Sequence, residues 1–326
     1  MERQRNKSKS KKRYRSKKQK FLLLFLVLGS LLIFGFWYQK NKEPESDQSP
    51  NPTQDVQPLA NAGLEIHYID VGQGDATLIM CGEEAMLIDG GGNDMEDRIR
   101  RYLKKMEIKE LAYVVGTHPD ADHIGGLDEV ISVFDCKQVI MPDIQRDNAT
   151  YQDVMDAIRY CRPVQITAKV GDSYSLGEAT FTIVAPEGTY EEQNNYSVGI
   201  LLTYGNTKFL FIGDAEGPAE EQMLKSGLTL QADVLKIGHH GSSDSTSQTF
   251  LEAVNPDYAV ISCGFGNDHG HPHTKVLNLL KKRDISMYRT DLQGNIILQT
   301  DGSVIRFLTN PSEDFTSGWD LKTEGR

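Results

Sequence analysis

The chain has 326 residues and a net charge of −11, and its content of 39% hydrophobic and 25% charged residues is ordinary for a globular protein. This composition excludes a wholly disordered chain, a collagen-like chain and a membrane protein with many spans. The charge is unevenly divided, because residues 1–20 carry eleven Lys or Arg and one Glu, which leaves residues 21–326 at −21. So acidic a body is not suited to holding nucleic acid through long-range charge, since that mode of binding needs a basic face.

The first predicted element is a membrane anchor over residues 21–38. This stretch contains no charged residue, and as a helix it would span roughly 27 Å, close to the thickness of the hydrocarbon layer. Because residues 1–20 form a basic tail before it, the positive-inside rule predicts a single-pass cell-membrane protein with a cytoplasmic N-terminus and an extracellular body. A cleaved signal peptide is the alternative, but no small-residue cleavage site follows in residues 39–42.

Residues 39–62 are rich in Pro, Asn, Gln, Ser and acidic residues, a composition typical of a disordered linker. One domain is predicted over residues 63–310, and residues 311–326 are left as a C-terminal tail. The four cysteines lie far apart with no CxxC pair, so they do not predict a thiolate zinc site. A disulfide in an exported domain stays open. The cysteines are Cys81, Cys136, Cys161 and Cys263.

Within residues 63–310, short β-like runs alternate with helix-like stretches. Strands are predicted at Leu64–Asp70, Ala76–Cys81, Ala85–Asp89 and Leu111–Gly116, with an amphipathic helix at Met95–Met106 before the last of them. The later predicted strands are Val139–Met141, Thr180–Ala185, Val198–Thr203, Lys208–Ile212, Val234–Ile237, Tyr258–Ser262, Ile296–Gln299 and Val304–Leu308. The other predicted helices are Gly126–Val133, Gln152–Tyr160, Pro218–Lys225, Ser247–Val254 and Lys275–Lys282. This alternation indicates a layered α/β fold with sheets inside and helices outside.

One predicted strand is followed directly by a cluster of potential metal ligands. The segment THPDADH at residues 117–123 places His118, Asp120, Asp122 and His123 within six residues. Its proline argues against a helix interior, so the segment is expected to be a loop that turns its side chains towards one point. The cluster therefore predicts a metal site.

Two further predicted strands end in the same way. Phe211-Ile212-Gly213 is followed by Asp214, and Leu235-Lys236-Ile237-Gly238 is followed by His239 and His240. Two divalent ions held by such residues can polarise a phosphoryl or acyl oxygen and lower the pKa of water, which requires several ligands, including a bridging carboxylate. Each motif alone is weak, but the three in order indicate a metal-dependent hydrolase.

These residues resemble the metallo-β-lactamase fold superfamily, whose signature HxHxDH appears here as HPDADH, with Asp in place of the second His. The resemblance is closest to the metallo-hydrolase domain of the ComEC competence proteins and covers roughly residues 64–308. The motifs that carry it are DVGQGD at 70–75, LIDGG at 87–91, THPDADHIGG at 117–126, NYSV at 195–198, GD at 213–214, LKIGHHGS at 235–242 and GHP at 270–272. The fold that it implies is an αββα sandwich with the metal site at one edge between the sheets.

The resemblance implies two divalent metal ions, either Zn²⁺ or Mn²⁺ because the ligand set is rich in oxygen. His118 and Asp120 would hold one ion, and Asp122 and His123 the other. Asp214 would bridge them. One of His239 and His240 completes the second site; His240 is favoured, and His239 stays open. The third-motif histidine of the superfamily has no counterpart, and Asn195 stands near its place.

Other residues are assigned supporting or catalytic roles. Asp75 and Asp89 are interpreted as turn residues or as hydrogen-bond partners of the ligands, together with Asn195. Asp120 or Asp122 would orient the attacking water. His271 would contact a substrate phosphate or protonate the leaving group, with an ordinary loop histidine as the alternative.

The leading hypothesis is a membrane-anchored, extracytoplasmic phosphodiesterase or nuclease, with single-stranded DNA as the substrate that the resemblance suggests. ComEC proteins join this domain to a channel with many spans, whereas this sequence has one predicted span, so self-contained DNA transport is not expected. The alternatives are a hydrolase similar to phosphorylcholine esterases, a lactamase-like hydrolase, and a non-catalytic metal-stabilised module.

Overall fold

The computed structural model of the chain describes residues 56–324. The predicted basic tail and anchor, and most of the predicted linker, lie outside the described residues. Within residues 56–324, none of the helices has both the length and the apolar character needed to cross a bilayer.

The fifteen strands of residues 56–324 are numbered in chain order. They are β1 (Leu64–Tyr68), β2 (Thr77–Cys81), β3 (Glu84–Ile88), β4 (Glu110–Val115), β5 (Asp135–Met141), β6 (Val164–Thr167), β7 (Ser173–Leu176), β8 (Ala179–Ala185), β9 (Gly199–Tyr204), β10 (Thr207–Phe211), β11 (Val234–Lys236), β12 (Tyr258–Ile261), β13 (Ser286–Arg289), β14 (Ile296–Thr300) and β15 (Ile305–Phe307).

The helices of the same part of the chain are numbered separately. They are α1 (Glu96–Lys105), α2 (Ala121–Ile124), α3 (Leu127–Val133), α4 (Ala149–Cys161), α5 (Gly217–Lys225), α6 (Gln248–Val254), α7 (Thr274–Lys282), α8 (Thr290–Gln293) and α9 (Gly318–Glu324). Short 3₁₀ turns occur at Asn93–Met95, Gln193–Tyr196 and Gly238–Gly241.

The strands form two sheets. The first has the order β15-β14-β1-β2-β3-β4-β5-β6, and the second has the order β13-β12-β11-β10-β9-β8-β7. Pairing is parallel from β3 to β6 in the first sheet and from β10 to β13 in the second. Parallel neighbours end at the same edge of a sheet, which is where ligands of open α/β sheets usually bind.

The inner faces of the two sheets pack against each other, as the alternation of side chains in single strands shows. In β10, Phe209 and Phe211 face the space between the sheets, whereas Leu210 faces the helices that cover the outside. All three side chains are buried, so this strand is apolar on both faces, as expected for a strand inside a layered fold. Each buried side chain of this size contributes about 1.5–3 kcal/mol.

Helices cover the outer face of both sheets. Ile99 and Leu103 of α1 pack on the first sheet, and the Arg and Lys residues of this helix lie on the opposite, solvent side, as its amphipathic sequence predicts. Phe250 of α6 and Leu277 of α7 pack on the second sheet in the same way. The predicted αββα sandwich is confirmed.

Some elements have no counterpart in the prediction. The edge strands β6 and β7 are mostly exposed and carry polar residues, so they lack a strong apolar pattern. Within residues 311–326, α9 buries Leu321, and a Cβ atom at Gly270 would lie only 2.2 Å from the indole of Trp319. This part of the predicted tail therefore packs against the loop before α7.

Candidate metal centre

Polar side chains from both sheets meet where the parallel strands end. His118 and Asp214 each come three residues after a strand, β4 and β10 respectively, and His240 comes four residues after β11. The loop before β2 also reaches this edge, and a Cβ atom at Gly74 would lie 2.3 Å from the backbone oxygen of Asp122. The close approach of these two loops therefore depends on a glycine at position 74.

Three imidazole rings form the centre of the cluster. The ring centroids of His118 and His123 are 4.2 Å apart, and those of His123 and His240 are 5.1 Å apart. None of the three residues is more than 1% exposed. A buried polar atom without a partner costs about 1–3 kcal/mol. Any ring nitrogen that lacks a hydrogen-bond partner in the protein therefore indicates where a ligand is needed.

The Nδ1 atoms of two rings are held by hydrogen bonds within the protein. Asp89 accepts hydrogen bonds from the backbone N–H of Thr117 at 2.8 Å, from its hydroxyl at 2.7 Å and from Nδ1 of His123 at 2.8 Å. Because the Thr117 hydroxyl proton points to Asp89, the hydroxyl oxygen accepts from Nδ1 of His118 at 3.1 Å. Both rings therefore carry a hydrogen on Nδ1, which leaves Nε2 to hold a proton or a cation.

His240 has the same orientation. The backbone carbonyl of Ser262 accepts a hydrogen bond from its Nδ1 at 2.9 Å, and Oδ1 of Asp75 lies 3.3 Å from that nitrogen. Asp75 forms an ion pair with the amino group of Lys236, which is buried at the end of β11. Asp75 therefore lies behind the imidazole rings, on the side of their Nδ1 atoms.

The opposite edge of the cluster is not satisfied by the protein. The Nε2 atoms of His118, His123 and His240 are buried without a hydrogen-bond partner, and so is Oδ1 of Asp214. Oδ2 of Asp214 lies 3.2 Å from Nε2 of His123 and 3.4 Å from Nε2 of His240. Ligand atoms about 2.0–2.2 Å from one ion lie within roughly 4.4 Å of one another, so these atoms are spaced as ligands of a metal ion.

Two half-exposed carboxylates lie beside this unsatisfied edge. Oδ2 of Asp122 is 3.3 Å from Nε2 of His240 and 4.0 Å from Nε2 of His123. Oδ2 of Asp120 is 3.7 Å from Nε2 of His118. The residues that sequence analysis selected as ligands therefore lie side by side, with Asp214 between the rings.

Among the described residues, a slightly different set of four also has ligand atoms close together. One ligand atom from each of Asp75, His123, Asp214 and His240 lies within 4.8 Å of the others. This set includes Asp75, to which sequence analysis assigned a supporting role. Lys236 pairs with Oδ2 of Asp75, and Oδ1, which is buried without a hydrogen-bond partner, lies 3.3 Å from Nδ1 of His240. Asp75 therefore faces the Nδ1 side of the ring, away from the carboxylates near the Nε2 atoms.

The three imidazoles differ in the direction of their pKa shifts. Burial, followed by the neighbouring His123, lowers the pKa of His118 to about 3. Burial also opposes a charge on His123 and His240, but Asp214 and nearby carboxylates raise the pKa of both rings well above the ordinary value. Burial would raise the pKa of Asp214, but the two rings hold it well below its usual range. The carboxylates that stabilise protons on these rings also create a strong field for a cation.

His239 lies at the outer rim of the cluster. Its Nε2 is 3.7 Å from Oδ2 of Asp214, and its Nδ1 is 3.1 Å from Oε1 of Glu216. The hydrogen bond from His239 is the main reason that the pKa of Glu216 is lowered. His239 and His240 both adopt positive φ angles, 43° and 52°, a conformation that is uncommon for residues other than glycine and that tends to occur at functional sites.

His271 lies next to the cluster, with its ring centroid 5.3 Å from that of His239 and 6.1 Å from that of His240. Gln73 accepts from the backbone N–H of Gly264, so its amide nitrogen faces Nδ1 of His271 at 3.4 Å and acts as the donor. This contact leaves the hydrogen of a neutral His271 on Nε2. Burial and then the neighbouring histidines lower the pKa of His271 to about 3.

Asn195 supports the site from a distance. Its Oδ1 accepts hydrogen bonds from the backbone N–H groups of Glu216 and Ala219, at the start of α5. The nearby Ser197 hydroxyl accepts from the backbone N–H of Asp214 at 3.0 Å. Both contacts fix the segment that carries Asp214, and neither residue belongs to the group of possible ligands.

Sequence analysis did not identify several residues that shape the site. Thr117 and Ser197 are common loop residues, and their hydrogen bonds become apparent only when the sheets are assembled. Lys236 could have been noticed, because a lysine inside the apolar run VLKIG must find a buried partner. Arg146, whose guanidinium lies 3.7 Å from Oδ1 of Asp120, comes from a loop 26 residues further along the chain.

Comparison with known proteins agrees with the fold. ComE operon protein 3 of Bacillus subtilis (strain 168) is 29% identical over 278 residues, which cover 79% of this chain and 36% of the relative. Competence protein ComA of Neisseria gonorrhoeae is 29% identical over 228 residues, which cover 69% of this chain and 30% of the relative. The chain thus spans about a third of the length of these curated relatives.

A solved structure and a family model extend the comparison. CmlA, a diiron beta-hydroxylase from Streptomyces venezuelae, aligns with a TM-score of 0.50 and 13% identity over 75% of this chain and 55% of that chain, which shows a shared fold. The family model of the Metallo-beta-lactamase superfamily matches residues 69–264, more than half of the chain. The chain belongs to the metallo-β-lactamase superfamily, and its relatives include proteins named for competence.

Proposed function

We propose that this protein is a metal-dependent phosphodiesterase, and that the unsatisfied Nε2 edge of the imidazole cluster is its catalytic centre. The observation that carries the proposal is the set of buried atoms without hydrogen-bond partners: Nε2 of His118, His123 and His240 and Oδ1 of Asp214. Atoms of these types, buried and facing one another, are costly unless a cation binds them. Divalent cations at such a site supply the charge that polarises a phosphoryl oxygen and activates water.

The residues that would hold the metal are those whose Nε2 or carboxylate oxygen lies on this edge. His118 and Asp120 form one group, and His123, His240 and Asp122 form the other, with Asp214 between them. Asp75 is excluded from this set because it lies on the Nδ1 side and is paired with Lys236. The mixture of imidazole and carboxylate ligands suits Zn²⁺ and Mn²⁺.

Residues around the ligands would orient the reacting groups. Asp89 fixes the ring of His123 directly and the ring of His118 through Thr117, so that each ring presents Nε2 to the centre. The low pKa of His271 keeps this residue neutral at pH 7. Its Nε2 hydrogen can therefore donate a hydrogen bond to a phosphoryl oxygen, and this role suits it better than transfer of a proton to the leaving group.

A phosphodiester substrate is favoured over a lactam for two reasons. The site has several carboxylates, and oxygen-rich sites bind the cations that commonly serve phosphoryl transfer. Among the relatives are a ComE operon protein, a competence protein and a protein named for recombination, names that suit a nucleic-acid substrate. Single-stranded DNA is the substrate that we infer.

A substrate panel tests this proposal. The purified full chain, analysed for bound metal and then loaded with Mn²⁺ or Zn²⁺, would be assayed against single-stranded DNA, bis-p-nitrophenyl phosphate, p-nitrophenyl phosphorylcholine and nitrocefin. We expect hydrolysis of the first two. Turnover of nitrocefin alone, or no turnover of a phosphodiester by the metal-loaded protein, would contradict the proposal.

We also propose that residues 21–38 anchor the protein in the cell membrane with the catalytic domain outside. The support is the uncharged stretch itself and the eleven Lys or Arg residues that precede it. Protease added to intact cells should then digest the catalytic domain but not a tag placed before residue 1. Protection of the catalytic domain in intact cells would contradict this orientation.

A further inference from the structure

Arg146 places a positive charge at the rim of the candidate metal centre. It lies between β5 and α4, and its guanidinium Nη2 is 3.7 Å from Oδ1 of Asp120. The other oxygen of the same carboxylate is 3.7 Å from Nε2 of His118. The carboxylate of Asp120 therefore lies between Arg146 and the imidazole cluster, and Arg146 lies beside the cluster.

The guanidinium of Arg146 is available to a ligand. Its contact with Asp120 is longer than a hydrogen bond, and its Nε atom is buried without a hydrogen-bond partner. The Arg146 side chain is nevertheless 39% exposed. Lys236 also meets a carboxylate of the cluster, but its side chain is only 3% exposed and is paired with Asp75. A substrate that arrives from solvent can therefore reach Arg146 and cannot reach Lys236.

This placement matters because residues 21–326 carry a net charge of −21. A polyanion is repelled by such a body and needs a local cation near the catalytic centre. Arginine is suited to this role, since its planar guanidinium can donate two parallel hydrogen bonds to one phosphate.

We propose that Arg146 binds a phosphate of a polynucleotide strand next to the phosphate that is cleaved. The proposal rests on the phosphodiesterase function and narrows its substrate to a chain of phosphodiesters. A small substrate with a single phosphodiester reaches the metal ligands but leaves Arg146 without a partner. The alternative is that Arg146 only balances the charge of Asp120, and in that case it contributes equally to both kinds of substrate.

The test compares Arg146→Gln with the unchanged protein on two substrates, a fluorescent single-stranded oligodeoxynucleotide and bis-p-nitrophenyl phosphate, with the full chain loaded with Mn²⁺. For the oligonucleotide we expect kcat/KM to fall about tenfold to hundredfold, the loss expected for one charged hydrogen bond. For bis-p-nitrophenyl phosphate we expect a change of less than about twofold. Arg146→Lys should retain part of the oligonucleotide activity, because lysine keeps the charge without the planar group.

The control is Arg159→Gln in α4, which removes the same charge from an exposed residue that pairs with Asp156. It should leave both activities unchanged. The salt dependence of oligonucleotide binding gives a second measure. The plot of log affinity against log salt should be less steep for Arg146→Gln than for the unchanged protein, by about 0.7, because one phosphate contact to a single strand is lost.

Equal losses on the two substrates, or an equal loss in Arg159→Gln, would overturn the assignment of Arg146. Fluorescence anisotropy of oligonucleotide binding keeps this outcome separate from failure of the catalytic proposal, because it needs no turnover. If the unchanged protein binds the oligonucleotide about tenfold more tightly than Arg146→Gln but cleaves no phosphodiester, the phosphate contact stands and the proposed reaction fails. Equal binding by the two proteins overturns the contact.

Discussion

The two edges of the imidazole cluster differ in how the protein satisfies their ring nitrogens. On the Nδ1 edge, Asp89, Thr117 and the carbonyl of Ser262 accept hydrogen bonds from the three rings. On the Nε2 edge, the ring nitrogens and one oxygen of Asp214 are buried and have no partner. The protein therefore fixes the rings from behind and directs their remaining nitrogens towards a common point.

The carboxylates of the two edges differ in the same way. Asp75, on the Nδ1 edge, has a lysine as its partner, and burial is offset by Lys236 and then by His240, so its pKa is lowered. Asp214, on the Nε2 edge, has imidazole nitrogens near its oxygens and no lysine or arginine partner among the described residues. The first edge therefore supports the rings, and the second is the edge proposed to bind a cation. Variants on each edge test this difference.

The largest effect on activity is expected from Asp214→Ala. It removes the carboxylate between the two groups of ligands, and we expect hydrolysis to fall by about 10³-fold, the upper end of the range for loss of one electrostatic contribution to catalysis. Metal content, measured by elemental analysis, should fall as well. Asp257→Asn on the surface is the control. Full activity of Asp214→Ala would show that the Nε2 edge is not the catalytic centre.

Lys236→Met tests the Nδ1 edge, because it leaves the buried carboxylate of Asp75 without its cation. The free energy of unfolding should fall by about 3–5 kcal/mol, the cost of breaking a buried ion pair on one side. Denaturant unfolding of the metal-free protein measures this change. The double variant Asp75→Asn with Lys236→Met should recover much of the loss. If the single variant is as stable as the unchanged protein, the pair has no supporting role.

Asp89→Asn is expected to have a smaller effect, which should appear as weaker metal binding. The amide retains the shape of the carboxylate but cannot accept hydrogen bonds at both atoms, so the rings of His123 and, through Thr117, His118 lose their fixed orientation. Loss of such a partner lowers metal affinity by about 10-fold to 100-fold. Competition with a chelator measures the affinity, and Asp301→Asn on the surface is the control. An unchanged affinity would contradict the supporting role of Asp89.

Much of this arrangement could be predicted from the sequence, because apolar strands that end in His or Asp mark one edge of a sheet. The segment from His118 to His123 and the residues Asp214 and His240 were selected in this way, and the structure brings them together. The layers could also be predicted, since strands such as β10 are apolar on both faces and α1 is amphipathic.

The rest depends on side-chain directions that one sequence does not determine. The choice between Asp75 and Asp122 as a ligand depends on which edge of the rings each carboxylate faces, and this follows from loop geometry. Arg146 reaches Asp120 only because β5 lies next to β4 in the sheet. The contact of Trp319 in α9 with the loop at Gly270 joins residues 49 positions apart and has no local pattern.

The last test is the dependence of metal binding on pH. In the metal-free protein the pKa values of His123 and His240 are raised well above the ordinary value, so protons compete with the metal at neutral pH. Metal affinity should therefore fall about tenfold per pH unit for each proton displaced as pH decreases.

The raised pKa values of His123 and His240 also stabilise the metal-free protein. This stabilisation is complete below the pKa of the unfolded state and is lost as pH rises through the pKa of the folded state. The rise in melting temperature on adding Mn²⁺ should consequently be larger at pH 8 than at pH 6.5, measured by thermal unfolding with and without chelator. A rise that does not depend on pH would mean that His123 and His240 do not exchange protons for the metal, and the Nε2 edge would lose its assignment.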